Sequence, residues 1–265
     1  MFEYCLNAVH IRWQPFFFGF VSSPLFCAPG HLIVIQNAVS EQEAYGIEAL
    51  SKCIMENLPK ELPFFEERAF GDTTDEAHGL YTELGGNYVT FLQGLLQQYL
   101  PGVTASIYTA VHMAYMFGEW DDLGFPPVDD LGLRTAEHLR YKQSGRLGNH
   151  TDQDSVFSIS VALSNMDDYT GGFFRLSTDE AMFKCQRRSA IVFFSESVHS
   201  ISEIIGGERR VFVVELWDEA DAPVGLPRPT FEQFEEHKER RRHFIPKEVL
   251  EEMENDVADG RMDEL

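Results

Sequence analysis

Two histidines, one aspartate and one arginine, spaced unevenly along the second half of the chain, constrain its fold more than any other feature. His150 and Asp152 are one residue apart, whereas His199 and Arg209 follow much later in the sequence. Successive side chains of a strand alternate between its faces, so His150 and Asp152 point the same way. His199 can join them only if a distant strand faces the same cavity. The spacing therefore predicts facing strands of a β barrel.

The donor atoms of His150, Asp152 and His199 match a known kind of metal centre. Two imidazoles and one carboxylate bind non-haem Fe(II) and leave coordination positions open. Arg209, ten residues after His199, adds a cationic fork that can bind the far carboxylate of a dicarboxylate. Arg210 competes for this role, but in a strand it faces the opposite side. The sequence therefore predicts a metal site beside a carboxylate-binding Arg209.

Short β-like segments dominate residues 103–217. They are separated by Gly, Asp and Asn and cover 105–117, 138–143, 155–164, 173–176, 190–195 and 210–217. Many short strands with turn residues between them predict a barrel or sandwich. The preceding sequence predicts a strand over 31–35, a helix over 40–57 opened by a capping box, and a helix over 87–100 stopped by Pro101. We expect a mainly β protein with flanking helices (α+β).

One catalytic β domain with additions at both ends is the expected organisation. Its parts are an N-terminal segment of unassigned role (1–30), a helical support region (31–102), the β core (103–220), and a Pro-rich linker with charged helices and an acidic tail (221–265). Residues 118–135 are rich in Asp, Gly and Pro. A segment of this kind is either a lid over the cavity or an ordinary connector.

Composition excludes several classes of partner. A net charge of −22 opposes binding to a phosphate backbone, so no nucleic-acid partner is expected. No apolar stretch reaches the roughly 20 residues of a membrane span, so no membrane partner is expected. The cysteines have no CxxC spacing, which predicts reduced thiols; they are Cys5, Cys27, Cys53 and Cys185. The oligomeric state stays open.

The sequence contains opposing signals for the compartment. The apolar run 16–21 imitates a signal peptide, and the last four residues, 262–265, imitate an ER-retention tail. The one N-glycosylation sequon, however, is Asn149-His150-Thr151, which contains the first predicted metal ligand. A glycan there would block the site. We therefore expect a cytoplasmic location, with the ER lumen as the alternative.

The order of these motifs resembles the Fe(II)/2-oxoglutarate-dependent dioxygenases, particularly their prolyl 4-hydroxylase-like branch. The first matching segments are a strand containing Tyr141 (140–145), the HxD pair (150–152) and a core strand (158–163). They are followed by a glycine pair (169–173), an apolar strand ending in the distal histidine (190–199) and a closing strand (207–217). The resemblance covers about residues 31–217, and only in pattern before residue 100. HxD alone is a weak signal, but these motifs in this order are specific together.

The resemblance implies a double-stranded β-helix (jelly-roll, cupin-like) core. It also implies that His150, Asp152 and His199 bind Fe(II), that Arg209 pairs with the C5 carboxylate of 2-oxoglutarate, and that Tyr141 lines the co-substrate pocket. From the residues alone, Tyr141 can equally be a packed strand aromatic. 2-Oxoglutarate and O2 are the implied co-substrates, and ascorbate is a candidate reductant.

The activity implied by the resemblance is hydroxylation of an unactivated C–H bond with release of succinate and CO2. A peptidyl proline in a protein or peptide is the first substrate to consider, and a small molecule is the alternative within the same chemistry. Some relatives carry a second tyrosine on the core strand, where this chain has small residues near Ser160 and Ala162. The secondary hydrogen bond to the co-substrate is therefore unassigned in the sequence.

A non-catalytic, cupin-like module that binds a metal for structure or sensing is the rival interpretation. Zn(II) also binds well to two histidines and a carboxylate. Arg209 separates the two interpretations, because a structural metal site has no use for a cation aimed at a second carboxylate.

Overall fold

The computed structural model describes residues 32–57, 81–84, 87–92, 95–120, 124–152, 155–177 and 182–218. The predicted N-terminal segment 1–30 and the predicted linker and helices over 221–265 lie outside these residues. None of the described helices has the length and apolar content needed to cross a bilayer.

Antiparallel strands make up more of the described chain than helices do. They are β1 Leu32–Ile35, β2 Tyr81–Leu84, β3 Asn87–Phe91, β4 Leu131–Tyr141, β5 Leu147–His150, β6 Phe157–Ala162, β7 Tyr169–Gly171, β8 Phe174–Leu176, β9 Met182–Phe183, β10 Ala190–Phe194, β11 His199–Ile201, β12 Ile204–Gly207 and β13 Arg209–Asp218. The larger sheet has the order β1-β10-β6-β13-β4-β3-β2, and the smaller has the order β5-β11-β8-β9. Strands β7 and β12 pair separately.

From β4 onward, the chain alternates between the two larger sheets. Strands β4, β6, β10 and β13 lie in the larger sheet, and the strands between them in the chain, β5, β8, β9 and β11, lie in the smaller one. This alternation is the double-stranded β-helix, a jelly-roll arrangement. The predicted fold class is therefore confirmed: a mainly β protein with flanking helices.

The buried strand β10 shows how the two faces of the larger sheet divide the core. Ala190, Val192 and Phe194 belong to the apolar cluster that includes the helices, whereas Ile191 and Phe193 belong to a second cluster between the sheets. Both faces are covered, so every position of this strand is buried. The second face points into the cavity that holds the predicted metal ligands.

Helix α1, Glu41–Asn57, begins at the predicted capping box. The Ser40 amide donates to Glu43 Oε2 at 2.7 Å, and the Glu43 amide donates to Ser40 Oγ at 3.2 Å. Both hydrogen bonds satisfy amides that have no partner within a helix. Cys53 on this helix is in a disulfide, so the prediction of reduced thiols is wrong for Cys53, whereas Cys185 keeps its thiol.

Two elements between α1 and β4 differ from the prediction. Residues 87–100 form strand β3 and the short helix α2, Leu95–Tyr99, rather than one helix. Residues 105–117 are not a strand but belong to helix α3, Pro101–Phe117. The β-forming sequence of β3 pairs with β4, which outweighs its helical periodicity. Helix α2 ends at Tyr99, just before Pro101, as predicted, and Pro101 then begins α3, because proline fits the first helical position.

The described residues of the segment 118–135, which are 118–120 and 124–135, place two aromatic rings in the core. The Trp120 ring stacks on Phe157 at 5.1 Å between centroids, and the Phe125 ring stacks on Phe194 at 4.3 Å. All four rings lie in the cluster on the helix side of the larger sheet. The described part of this segment therefore does not support the lid alternative.

Candidate metal centre and adjoining pocket

The fold brings the three predicted metal ligands together at the edge of the smaller sheet. His150 at the end of β5 lies opposite His199 at the start of β11. Asp152 Oδ1 lies 3.7 Å from His150 Nε2, and Asp152 Oδ2 lies 3.6 Å from His199 Nε2. One donor atom from each residue lies within 4.8 Å of the others. This is the spacing of atoms that could share one ion.

Both imidazoles are oriented by the same kind of hydrogen bond. His150 Nδ1 lies 2.8 Å from the Gly148 carbonyl oxygen, and His199 Nδ1 lies 3.0 Å from the Ser197 carbonyl oxygen. A carbonyl oxygen only accepts, so each Nδ1 carries a proton and Nε2 is the ring atom that faces Asp152. Metal-binding histidines are typically held in this way.

Burial shifts the pKa values of His199 and Asp152 in opposite directions. Burial and then the charge of His150 lower the pKa of His199 well below its ordinary value. The Phe174 ring stacks on His199 at 5.5 Å and the Phe193 ring meets it edge-on at 4.7 Å. Burial raises the pKa of Asp152, and His150 and a hydrogen bond from Ser158 oppose that rise. A neutral histidine is the form that binds a metal.

Ser158 holds Asp152 from inside the barrel. Its hydroxyl donates to Asp152 Oδ2 at 2.5 Å and lies 2.9 Å from Ser195 Oγ. Both serine side chains are buried. Sequence patterns place Ser158 in a strand but give it no role at the site. A serine between Phe157 and Ile159 in an otherwise apolar strand is nevertheless a sign of a buried polar contact.

Replacing Ser158 by alanine is expected to weaken metal binding by about tenfold, because outer hydrogen-bond partners of metal ligands commonly contribute about 10- to 100-fold to affinity. Competition with a chromophoric chelator measures the change. Ser164→Ala is the matched control, since this buried serine donates to the Glu208 carbonyl oxygen at 3.1 Å and is not part of the cluster. Equal affinity in both variants would contradict the role of Ser158.

Arg209 is a buried cation with spare hydrogen-bonding capacity. It pairs in register with Tyr141 of β4, its guanidinium carbon lies 5.1 Å from the Tyr141 ring centroid, and its side chain is nearly inaccessible. Among the described residues, its Nη1 has no hydrogen-bond partner. A buried charge is stable only when its donors are paired. A bound carboxylate would supply the missing acceptor.

The neighbouring Arg210 points elsewhere, as the strand alternation predicts. Arg210 Nη1 lies 2.6 Å from Glu48 Oε1 of helix α1.

Tyr141 lies beside Arg209, and burial raises the pKa of its phenol to about 12. Its place in a co-substrate pocket stays a prediction.

A pocket adjoins the metal-ligand cluster and contains Arg209. It is lined by Ser160, Ala162, Tyr169, Gly172, Phe174, Phe183, Lys184, Cys185, Ile191, Arg209 and Val211. Phe174 joins the two sites, since it lines the pocket and also stacks on His199. The lining therefore includes two cationic residues, Arg209 and Lys184, and the ligand cluster lies behind the Phe174 ring.

The glycine pair seen in the sequence permits close approach below this pocket. Gly171 and Gly172 have φ angles of 79° and 65°, which favour glycine. A Cβ on Gly172 would lie 2.4 Å from Ile204 Cδ1 and 3.0 Å from Arg209 Cδ. A Cβ at position 172 would therefore crowd the Arg209 side chain as well as strain the backbone.

Replacing Gly172 by alanine is expected to destabilise the protein by at least about 1 kcal/mol, the cost of a left-handed backbone for a residue with a Cβ. The added methyl group should also move Arg209 and weaken carboxylate binding. Thermal unfolding measures the first effect. Gly206→Ala is the control, because nothing lies within 4 Å of a Cβ there. An unchanged unfolding temperature for Gly172→Ala would contradict the crowding.

Among the other histidines, His138 is a core residue. His138 Nδ1 lies 2.7 Å from Ser51 Oγ, and burial lowers its pKa to about 3. It is not part of the His150–Asp152–His199 cluster. A buried neutral imidazole of this kind contributes to packing.

The strand order and the donor atoms together define a class: a double-stranded β-helix protein with a His-Asp-His cluster in its cavity. The chain is similar to a PKHD-type hydroxylase of Colwellia psychrerythraea, with 27% identity over 144 residues. The match covers 54% of this chain and 58% of the relative, so the chain spans little more than half of the relative's length. No known family profile matches the chain. The resemblance indicated by the motifs is confirmed by this relative.

Solved structures are similar at low identity. An oxidoreductase of the 2OG-Fe(II) oxygenase family from Burkholderia pseudomallei has a TM-score of 0.47 and 16% identity, covering 71% of this chain and 87% of that one. A prolyl-4-hydroxylase from Pseudomonas putida has a TM-score of 0.45 and 14% identity, covering 71% and 92%. The fold assignment rests on the strand order rather than on these scores.

Proposed function

We propose that this protein is an Fe(II)- and 2-oxoglutarate-dependent dioxygenase that hydroxylates an unactivated C–H bond and releases succinate and CO2. The observation that carries the proposal is the buried Arg209, whose Nη1 has no hydrogen-bond partner in the described part of the chain. Its pocket adjoins the cluster of three metal-ligand side chains. A metal site without a co-substrate has no use for that cation.

The residues of the site have distinct roles in this proposal. His150, Asp152 and His199 would hold Fe(II) and leave three of six positions for ligands. Arg209 would hold the C5 carboxylate of 2-oxoglutarate by paired hydrogen bonds. The bound iron would supply O2 activation coupled to oxidative decarboxylation of 2-oxoglutarate, which is chemistry that side chains lack. Phe174 and Phe193 would keep water from the His199 side.

An anaerobic titration with Fe(II) and 2-oxoglutarate tests the proposal directly. The expected result is a visible metal-to-ligand charge-transfer band that needs both components. Zn(II) in place of Fe(II) is the control, because a filled d shell cannot give that band. Tight Zn(II) binding without any Fe(II)–2-oxoglutarate band would overturn the proposal.

A peptidyl proline is the proposed target of hydroxylation, and it rests on the sequence resemblance. Proline-rich peptides are expected to raise succinate release above the rate without peptide, with ascorbate added as a candidate reductant. The same peptides with alanine at each proline are the control. Equal succinate release from both sets would favour a small-molecule substrate instead.

We infer a cytoplasmic location from the position of the glycosylation sequon. The Asn149 side chain is exposed and directly precedes His150, so a glycan there would crowd the metal ligands. The disulfide of Cys53 is the observation that counts against this location, because disulfides form in oxidising compartments. Cell fractionation should recover the protein with cytoplasmic enzymes. Recovery inside sealed vesicles, protected from added protease, would overturn this location.

A further inference from the structure

Tyr169 meets Arg209 on the wall of the pocket. Tyr169 is the first residue of β7, is 6% exposed, and lines the pocket together with Arg209. A Cβ on Gly172 would lie 3.0 Å from Tyr169 Cε2 and 3.0 Å from Arg209 Cδ. The two side chains therefore converge above the same glycine. Ser160 and Ala162 line the same pocket and are small enough to leave room for the tyrosine ring.

Lys184 holds Tyr169 by two contacts. Its Nζ donates to the Tyr169 carbonyl oxygen at 2.7 Å and lies 4.0 Å from the centroid of the Tyr169 ring. One ammonium group thus contacts both the backbone and the ring face of the same residue. A cation over an aromatic face is attracted by the negative face of the ring. These contacts restrict how far the ring can rotate or shift away from Arg209.

The phenol of Tyr169 is suited to direct a guanidinium. Burial raises its pKa, and the charge of Arg209 and a hydrogen bond between the two groups oppose that rise. A neutral phenol oxygen can accept one guanidinium N–H and leave the other donors for a ligand. Because the guanidinium is planar and rigid, fixing one N–H fixes the direction of the rest.

We propose that Tyr169 is a positioning residue for the distal carboxylate of the co-substrate, acting through Arg209, and that Lys184 keeps Tyr169 in place. The inference rests on the proposed function, because it concerns how the same pocket recognises 2-oxoglutarate. Tyr169 comes from β7, a strand outside the two larger sheets, so it supports Arg209 from a different element of the fold.

Two oxo acids separate this role from a merely structural one. 2-Oxoglutarate has a distal carboxylate, whereas 2-oxobutanoate has the same oxo acid group and no second carboxylate. Anaerobic titration of the Fe(II)-loaded protein with each compound gives two dissociation constants. In Tyr169→Phe, we expect 2-oxoglutarate to bind about tenfold more weakly, as for a lost hydrogen bond to a charged group. The constant for 2-oxobutanoate is expected to stay unchanged.

Tyr115→Phe is the matched control. It also removes a buried phenol hydrogen bond, to the Phe125 carbonyl oxygen at 3.0 Å, but Tyr115 packs on the helix side of the larger sheet. Neither dissociation constant is expected to change.

Lys184→Met is the second test variant, because it keeps the approximate length of the side chain and removes its charge. It is expected to weaken 2-oxoglutarate binding selectively, by about threefold, the range of a cation–π contact.

The outcomes distinguish this inference from the proposed function. If the parent protein binds no 2-oxoglutarate, the proposed function fails and the inference fails with it. If the parent binds 2-oxoglutarate but both Tyr169→Phe and Lys184→Met bind it equally well, only the inference is overturned. Equal weakening of both oxo acids would also overturn it, because the effect would then not pass through the distal carboxylate.

Discussion

Replacing Arg209 by alanine is expected to weaken 2-oxoglutarate binding by at least about 30-fold, because truncating one partner of a buried charge pair costs about 2–5 kcal/mol. Metal binding is expected to stay unchanged, since Arg209 is not part of the His150–Asp152–His199 cluster. The charge-transfer titration measures the co-substrate, and chelator competition measures the metal. The two readouts separate the co-substrate pocket from the metal centre.

Arg210→Ala is the matched control for this prediction. It removes the same side chain one residue later, but Arg210 pairs with Glu48 at 2.6 Å on the other side of the sheet. Its 2-oxoglutarate affinity is expected to equal that of the parent protein. An unchanged affinity in Arg209→Ala, or a loss of equal size in Arg210→Ala, would contradict the assignment of Arg209.

Replacing Asp152 by alanine is expected to weaken metal binding by more than about 100-fold, because even the outer hydrogen-bond partners of metal ligands contribute about 10- to 100-fold. The unfolding temperature of the metal-free protein is not expected to fall, because burial disfavours the charged form of the Asp152 carboxylate and raises its pKa. Chelator competition and thermal unfolding of the metal-free protein measure the two effects.

Asp129→Ala is the control for the metal prediction. Asp129 Oδ1 lies 3.0 Å from His112 Nε2, but the pair is exposed. Among the described residues, no third metal-binding side chain joins this pair. Its loss is expected to leave metal affinity unchanged. If Asp152→Ala still bound metal as tightly as the parent protein, His150 and His199 would not form a site with this carboxylate.

The parts predicted well from sequence depend on short spacings. The capping box at Ser40 is a local pattern, and both of its hydrogen bonds are present. His150 and Asp152 share a face because strand side chains alternate. The buried strands around β6 and β10 were also found, because continuous apolar runs between turn residues indicate strands.

The sequence predicts helix α3 and strand β3 wrongly because their local patterns are ambiguous. The apolar residues of α3 fit a short strand as well as a helix, and only packing against the larger sheet separates the two. Strand β3 has a helical spacing of apolar residues, but pairing with β4 satisfies its backbone groups. Long-range pairing of this kind leaves no mark in a local window of sequence.

The sequence by itself determined the identity of the predicted metal ligands, the arginine beside them and the class of fold, because these depend on residue type and on alternation along strands. Only the tertiary structure decided which other side chains surround them. Ser158 meets Asp152, and Lys184 and Tyr169 meet near Arg209. These contacts join residues of different strands and loops, and their geometry depends on the twist and register of the whole barrel.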